Sequence, residues 1–154
     1  MRARSRRRLC IAVVLTLPIA AWSVGTEEDG PTVDPDFAAG RRAIDDRQWE
    51  AAIRLLKSAA LRDTRNADIE NYLGFTNRKL GRMDEAFAHY ERALKLNPRH
   101  RGAHEYAGEA SLMVGDLAAA ERHLDALKTI CLLPCEELED LQREVLAYKA
   151  RITR

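Results

Sequence analysis

Gly40, Gly74 and Gly108 recur at one fixed interval, and Ala52, Ala86 and Ala120 recur at the same one. A period of about 34 residues marks a helical-hairpin repeat, and it constrains the fold more than any other feature of the chain. Cut from Val33, the blocks are 33–66, 67–100 and 101–134. Their seventh positions are Ala39, Leu73 and Ala107, and their twenty-fourth are Leu56, Tyr90 and Leu124. Small residues at fixed positions let the two helices of a hairpin approach closely. Leu73, Leu80, Ala86, Tyr90, Ala93 and Leu94 follow the spacing that puts an apolar stripe on one helix face. Gly81 and Gly115 suit the left-handed closure of a first helix. Asp84 and Asp116 fall within a residue or two of a cap for the second, and Pro98 stops the central hairpin.

The central block carries Asn71-Tyr-Leu-Gly-Phe75, Lys79-Leu-Gly-Arg82, Asp84-Glu-Ala86, Tyr90-Glu-Arg-Ala-Leu94 and Asn97-Pro98. This pattern resembles the tetratricopeptide repeat family. The resemblance implies an all-α, right-handed superhelical solenoid: three helical hairpins over 36–134, sealed by a capping helix at 135–154. The outer blocks depart from it. Asp46-Arg47 stands where the others have Leu80-Gly81 and Val114-Gly115, and Thr64 stands where Pro98 would fall. Such degeneracy suits end repeats, which face a cap or solvent. Trp49 is expected to pack into the first hairpin. Leu138, Leu141, Val145 and Tyr148 recur at helical steps and define one amphipathic capping helix, acidic at its start and basic at its end.

The segment 1–23 reads as a secretory signal. Five arginines without an acid precede an apolar run over 9–22, and small residues follow. That run is short for a membrane span and contains Pro18, so cleaved export, into a bacterial periplasm, is the expectation. An uncleaved anchor facing the periplasm is the alternative. The segment 24–35, acidic and broken by Gly30, Pro31 and Pro35, reads as a flexible linker. Five of the 25 basic residues belong to the leader, leaving 20 basic against 24 acidic residues. A mildly acidic mature chain argues against nucleic acid as a partner.

Without the leader and its Cys10, Cys131 and Cys135 remain, and an even pair in an exported chain favours a disulfide. It would pin the third hairpin to the capping helix. The C-x-x-x-C spacing is not that of a thioredoxin-like site, and no second pair completes a zinc site. His100 and His104 stand four apart, with a helix start expected between them, and read as surface histidines at a repeat junction. No nucleophile elbow, zinc-protease motif or phosphate loop is present. The reading is therefore non-enzymatic, with no metal and no cofactor.

What remains is a binding surface. In the family, the resemblance places the concave face at repeat positions 2, 5, 9, 12 and 13. Those positions hold Phe37, Arg41 and Ile44, with Asp34 and Asp45, in the first block. In the second they hold Asn71, Phe75, Arg78 and Lys79, with Asp68. In the third they hold Glu105, Glu109, Leu112 and Met113, with Gly102. Ile44, Phe75, Leu112 and Met113 would form an apolar strip for an extended or helical protein segment, with Arg78 and Lys79 beside it for an acidic group. The carboxylate clamp of chaperone-binding members is not matched: Phe37, Arg41, Tyr72 and Gly102 occupy its positions. An adaptor for a protein segment is the first functional expectation. A redox-responsive or metal-handling accessory role for Cys131 and Cys135 is the second, and self-association through the end helices is a third.

Overall fold

A computed structural model describes residues 33–153. The leader, Cys10 and the linker as far as Thr32 lie outside the described residues. Seven helices follow in order: α1 (Pro35–Asp45), α2 (Trp49–Arg62), α3 (Ala67–Lys79), α4 (Met83–Leu96), α5 (Arg101–Met113), α6 (Leu117–Ile130) and α7 (Glu136–Ile152). No strand occurs among the described residues. None of these helices is long and apolar enough to cross a membrane.

Four of the seven helices start where a side chain satisfies free N–H groups. The Asp34 carboxylate accepts from the N–H groups of Asp36 and Phe37, and Pro35 occupies the first turn. Asp34 and Pro35 thus belong to the first hairpin rather than to the linker. Arg62 of α2 ties them down, its guanidinium 2.7 Å from Asp34 and 2.6 Å from Asp36. Asn66 caps α3, the His100 imidazole caps α5 and Asp116 caps α6. At α4 the cap position is Arg82, without a side-chain bond, and Asp84 sits inside the first turn as a dipole-matching acid.

Each hairpin turns through the same device. The N–H groups of Gln48, Arg82 and Asp116 reach back to the carbonyls of Ala43, Asn77 and Ser111, at 2.8, 2.9 and 2.9 Å. This closure needs a left-handed residue just before the donor. Gly81 and Gly115 supply it at φ +75° and +84°, and Arg47 supplies it in the first hairpin at φ +57°. The turn survives the loss of its glycine there, at a conformational cost.

Packing explains the repeat spacing. Ala52, Ala86 and Ala120 are fully buried. A Cβ on Gly40 would lie 2.9 Å from Leu56, and one on Gly74 would lie 2.5 Å from the buried Tyr90 ring. Both neighbours stand at the twenty-fourth repeat position. Gly108 differs: its close neighbour is Leu141 of α7, at 2.6 Å, not Leu124 of its own hairpin. The third glycine therefore admits the capping helix. Leu112, Leu124, Leu127, Leu141 and Val145 form one core under that helix, and Ile53, Leu56, Ile69 and Leu73 form another at the opposite end. The Cys131 and Cys135 sulfurs stand 2.05 Å apart. They join the residue just beyond α6 to the one that opens α7.

Candidate functional site: an aromatic inner face with an acidic end

Along the array α1 touches α3, α3 touches α5 and α5 touches α7, whereas α2, α4 and α6 make no such contacts with one another. The odd-numbered helices therefore form the inner row, the concave side of a repeat solenoid.

Aromatic side chains line this row. Phe37 and Tyr72 stand 5.8 Å apart, centroid to centroid, and the exposed Arg41 guanidinium lies 5.7 Å from the Tyr72 ring. Further along, Phe75 packs 5.0 Å from Tyr106 and meets Trp49 edge-on at 6.3 Å. Lys79, exposed, holds its ammonium 5.0 Å above Phe75. Met113 is 61% exposed at the far end. Tyr72 and Tyr106 share the sixth position of successive blocks, which is the signal by which the sequence marks them as a pair.

Several residues expected on this surface do another job. Arg78 is 8% exposed. Its guanidinium lies 2.7 Å from Glu109 and between the rings of Phe75 and Tyr106, at 5.4 and 5.5 Å. That arrangement neutralises it and clamps α3 to α5, so Arg78 is not a free groove cation. Leu112 belongs to the core beneath α7, because the capping helix covers its face. Ile44 and Phe37 are half-buried against the first core. Beside Arg78 and Glu109, a recess of about 460 Å3 is closed on its other side by Glu144 and Arg151 of α7.

At its α7 end the row turns acidic. Asp68, Glu105, Glu136, Glu137 and Asp140 border a recess of about 370 Å3. Burial and the nearby Glu109, Asp140 and Glu137 push the Glu105 carboxyl up to about 8. The α7 carboxylates escape a reading by repeat positions, since α7 lies beyond the third block.

The histidines are structural, and less exposed than a surface assignment implies. His100 joins its α5 cap to Asp68 at 2.9 Å, and His89 lies 2.7 Å from Glu70. His104 and His123 meet each other at 3.0 Å. Among the described residues, no group of three or more His, Cys, Asp or Glu side chains is placed to hold a metal ion.

Residues 67–100 match the model of the tetratricopeptide repeat. No curated protein matches the chain. Solved structures do. The type III secretion translocator chaperone SycD of Yersinia enterocolitica is similar at 20% identity and TM-score 0.69, over 77% of this chain and 84% of that one. PcrH, in complex with the chaperone-binding region of PopD, is similar at 20% identity and TM-score 0.67, over 75% and 90%. The first such domain of Spaghetti (RPAP3), bound to the HSP90 peptide SRMEEVD, is similar at 15% identity and TM-score 0.68, over 81% and 100%. Residues 67–100 are thus a tetratricopeptide repeat, and the seven helices around and including it form a hairpin solenoid of the tetratricopeptide-repeat type.

Proposed function

We propose that this chain is an exported, non-enzymatic adaptor that holds a segment of a partner protein along the inner face of α1, α3 and α5. The observation that carries the proposal is the aromatic lining. Phe37, Tyr72, Phe75 and Tyr106 remain only half-buried on the one face where successive repeats converge. Aromatic rings on a rigid scaffold give large contact area at little entropic cost, as binding anchors do. The similar structures agree in kind, since PcrH holds a region of PopD and the Spaghetti domain holds a peptide. The peptide SRMEEVD is acidic, and the α7 end of this row is itself crowded with carboxyl groups. The electrostatics here therefore call for a different partner. Export rests on the basic-then-apolar order of the segment 1–23.

The test is in-cell photo-cross-linking from position 113, with position 61 as control. Leu61 is 83% exposed and lies on an outer groove beside Arg54, Lys57 and His89. One dominant protein trapped from position 113 and not from 61, and lost in Lys79→Glu, is expected. Equal trapping from both positions would sink the inner-face assignment. Retention of the chain in the cytoplasm would sink export.

A further inference from the structure

The acidic recess between α3, α5 and the start of α7 is short of a positive charge. Most of its carboxylates have partners. Asp68 meets His100 at 2.9 Å, Glu137 meets Arg101 at 3.5 Å and Asp140 meets Arg143 at 2.8 Å. Glu105 is only 9% exposed and has no hydrogen-bond or ion-pair partner among the described residues. Asn71, 5% exposed and on the same recess, leaves its side-chain oxygen without a donor. Of the two, Glu105 is the acceptor that the cavity can reach, and a bound donor would offset the cost of its burial.

Gly102 sits at the same recess, in the first turn of α5, where no unusual backbone angle requires glycine. A Cβ there would lie 3.2 Å from the Asn71 side-chain nitrogen. The missing side chain leaves the wall of the recess open beside the Asn71 nitrogen.

We propose that this recess receives a lysine or arginine side chain of the partner segment, with Glu105 accepting hydrogen bonds from its ammonium or guanidinium group. The inference rests on the inner-face reading and names the chemistry of the occupant. In the empty recess burial and the neighbouring acids keep Glu105 mostly protonated at neutral pH, and a donor-rich cation offsets the cost of ionising it. A partner carboxylate would meet repulsion instead. A long cationic side chain also suits a cavity with aromatic walls, here Tyr72 and Tyr106, because its stem packs on them while its head reaches the acid.

The test uses a displayed library of random decapeptides selected on the full protein, with Lys79→Glu, Glu105→Gln and Gly102→Leu scored in parallel. All variants are first checked for native helicity. Selected peptides should share one lysine or arginine at a constant distance from an apolar residue. Their affinity should fall at least tenfold in Glu105→Gln, in Gly102→Leu, and when that lysine becomes norleucine. Peptides that lose binding in Lys79→Glu, yet lack a basic residue and ignore Glu105→Gln, would overturn this inference and leave the inner-face reading intact. Peptides indifferent to all three variants, or no selected peptide at all, would overturn both. Thermal stabilisation by calcium chloride that is abolished by Glu105→Gln, with no lysine-dependent peptide binding, would assign the recess to a metal ion and overturn the proposal.

Discussion

Replacing Arg78 with Met tests whether the inner face is held together by the pair that the sequence assigns to ligand binding. The substitution keeps the length and apolar stem of the side chain and removes its charge. It deletes an ion pair of 2.7 Å whose partners are 8% and 23% exposed, and two ring contacts at 5.4 and 5.5 Å. Stranding one member of a buried pair costs about 3–5 kcal/mol. Two features reduce that figure. Glu109 keeps some access to water, and the buried Arg78 Nε, which has no acceptor, carries a penalty of about 1–3 kcal/mol that the mutation relieves. A net loss of about 2–3 kcal/mol follows, and a domain of this size should then melt about 8–15 °C lower. Glu109→Gln alone should cost about 1–2 kcal/mol, as the loss of a charged hydrogen bond does. The double variant should lose less than the two together, with a coupling of about 1–2 kcal/mol. Urea unfolding followed by far-UV circular dichroism on the four proteins measures this. An additive cost for Arg78→Met below about 0.5 kcal/mol, the range of ordinary surface substitutions, would show Arg78 to be a free surface cation and refute the clamp.

Gly74→Ala places a methyl group 2.5 Å from a Tyr90 ring that is 1% exposed. Overpacking of this kind should cost about 1–3 kcal/mol despite alanine's better helix propensity, read as a fall in the urea midpoint. Arg47→Gly relaxes a left-handed arginine at φ +57° and should raise stability by about 0.5–1 kcal/mol; a neutral or lower midpoint would count against the shared turn geometry. Glu105 binds its proton more tightly when folded, at about 8 against an ordinary 4.5, because of burial and then Glu109, Asp140 and Glu137, with Arg78 opposing. The folded state therefore holds a proton that the unfolded state lacks. The resulting stability is complete below the unfolded value and fades as pH rises through the folded one. Glu105→Gln should match the parent near pH 4 and exceed it at pH 9 by roughly 2 kcal/mol, about half the unscreened limit because the recess opens to water. Parallel pH profiles for the two proteins would refute the unpaired buried carboxylate.

The fold is legible because its determinants are local or strictly periodic. Gly40 and Gly74 mark the contacts with Leu56 and Tyr90, and Gly81 and Gly115 mark the turns, whatever surrounds them. Arg47 shows the limit of that logic, since the turn forms where its residue is missing. The site is less legible because repeat position says which way a side chain points but not what covers it. Leu112 occupies a groove position and is buried by α7. Arg78 occupies another, and its charge is taken by Glu109, one repeat away. Conversely, the acid of the recess comes partly from Glu136, Glu137 and Asp140, on a helix that the repeat frame does not include. Periodicity finds Tyr106 from Tyr72, but it cannot find groups that meet only once in the molecule.

The most direct measurement of the central claim is amide chemical-shift mapping of the labelled protein, titrated with the segment recovered by cross-linking. Binding to the inner row predicts shifts at Tyr72, Phe75, Glu105, Tyr106 and Met113, with Leu61 and His89 unmoved. Shifts confined to Arg54, Leu61 and His89 would place the partner on the outer groove and contradict the account.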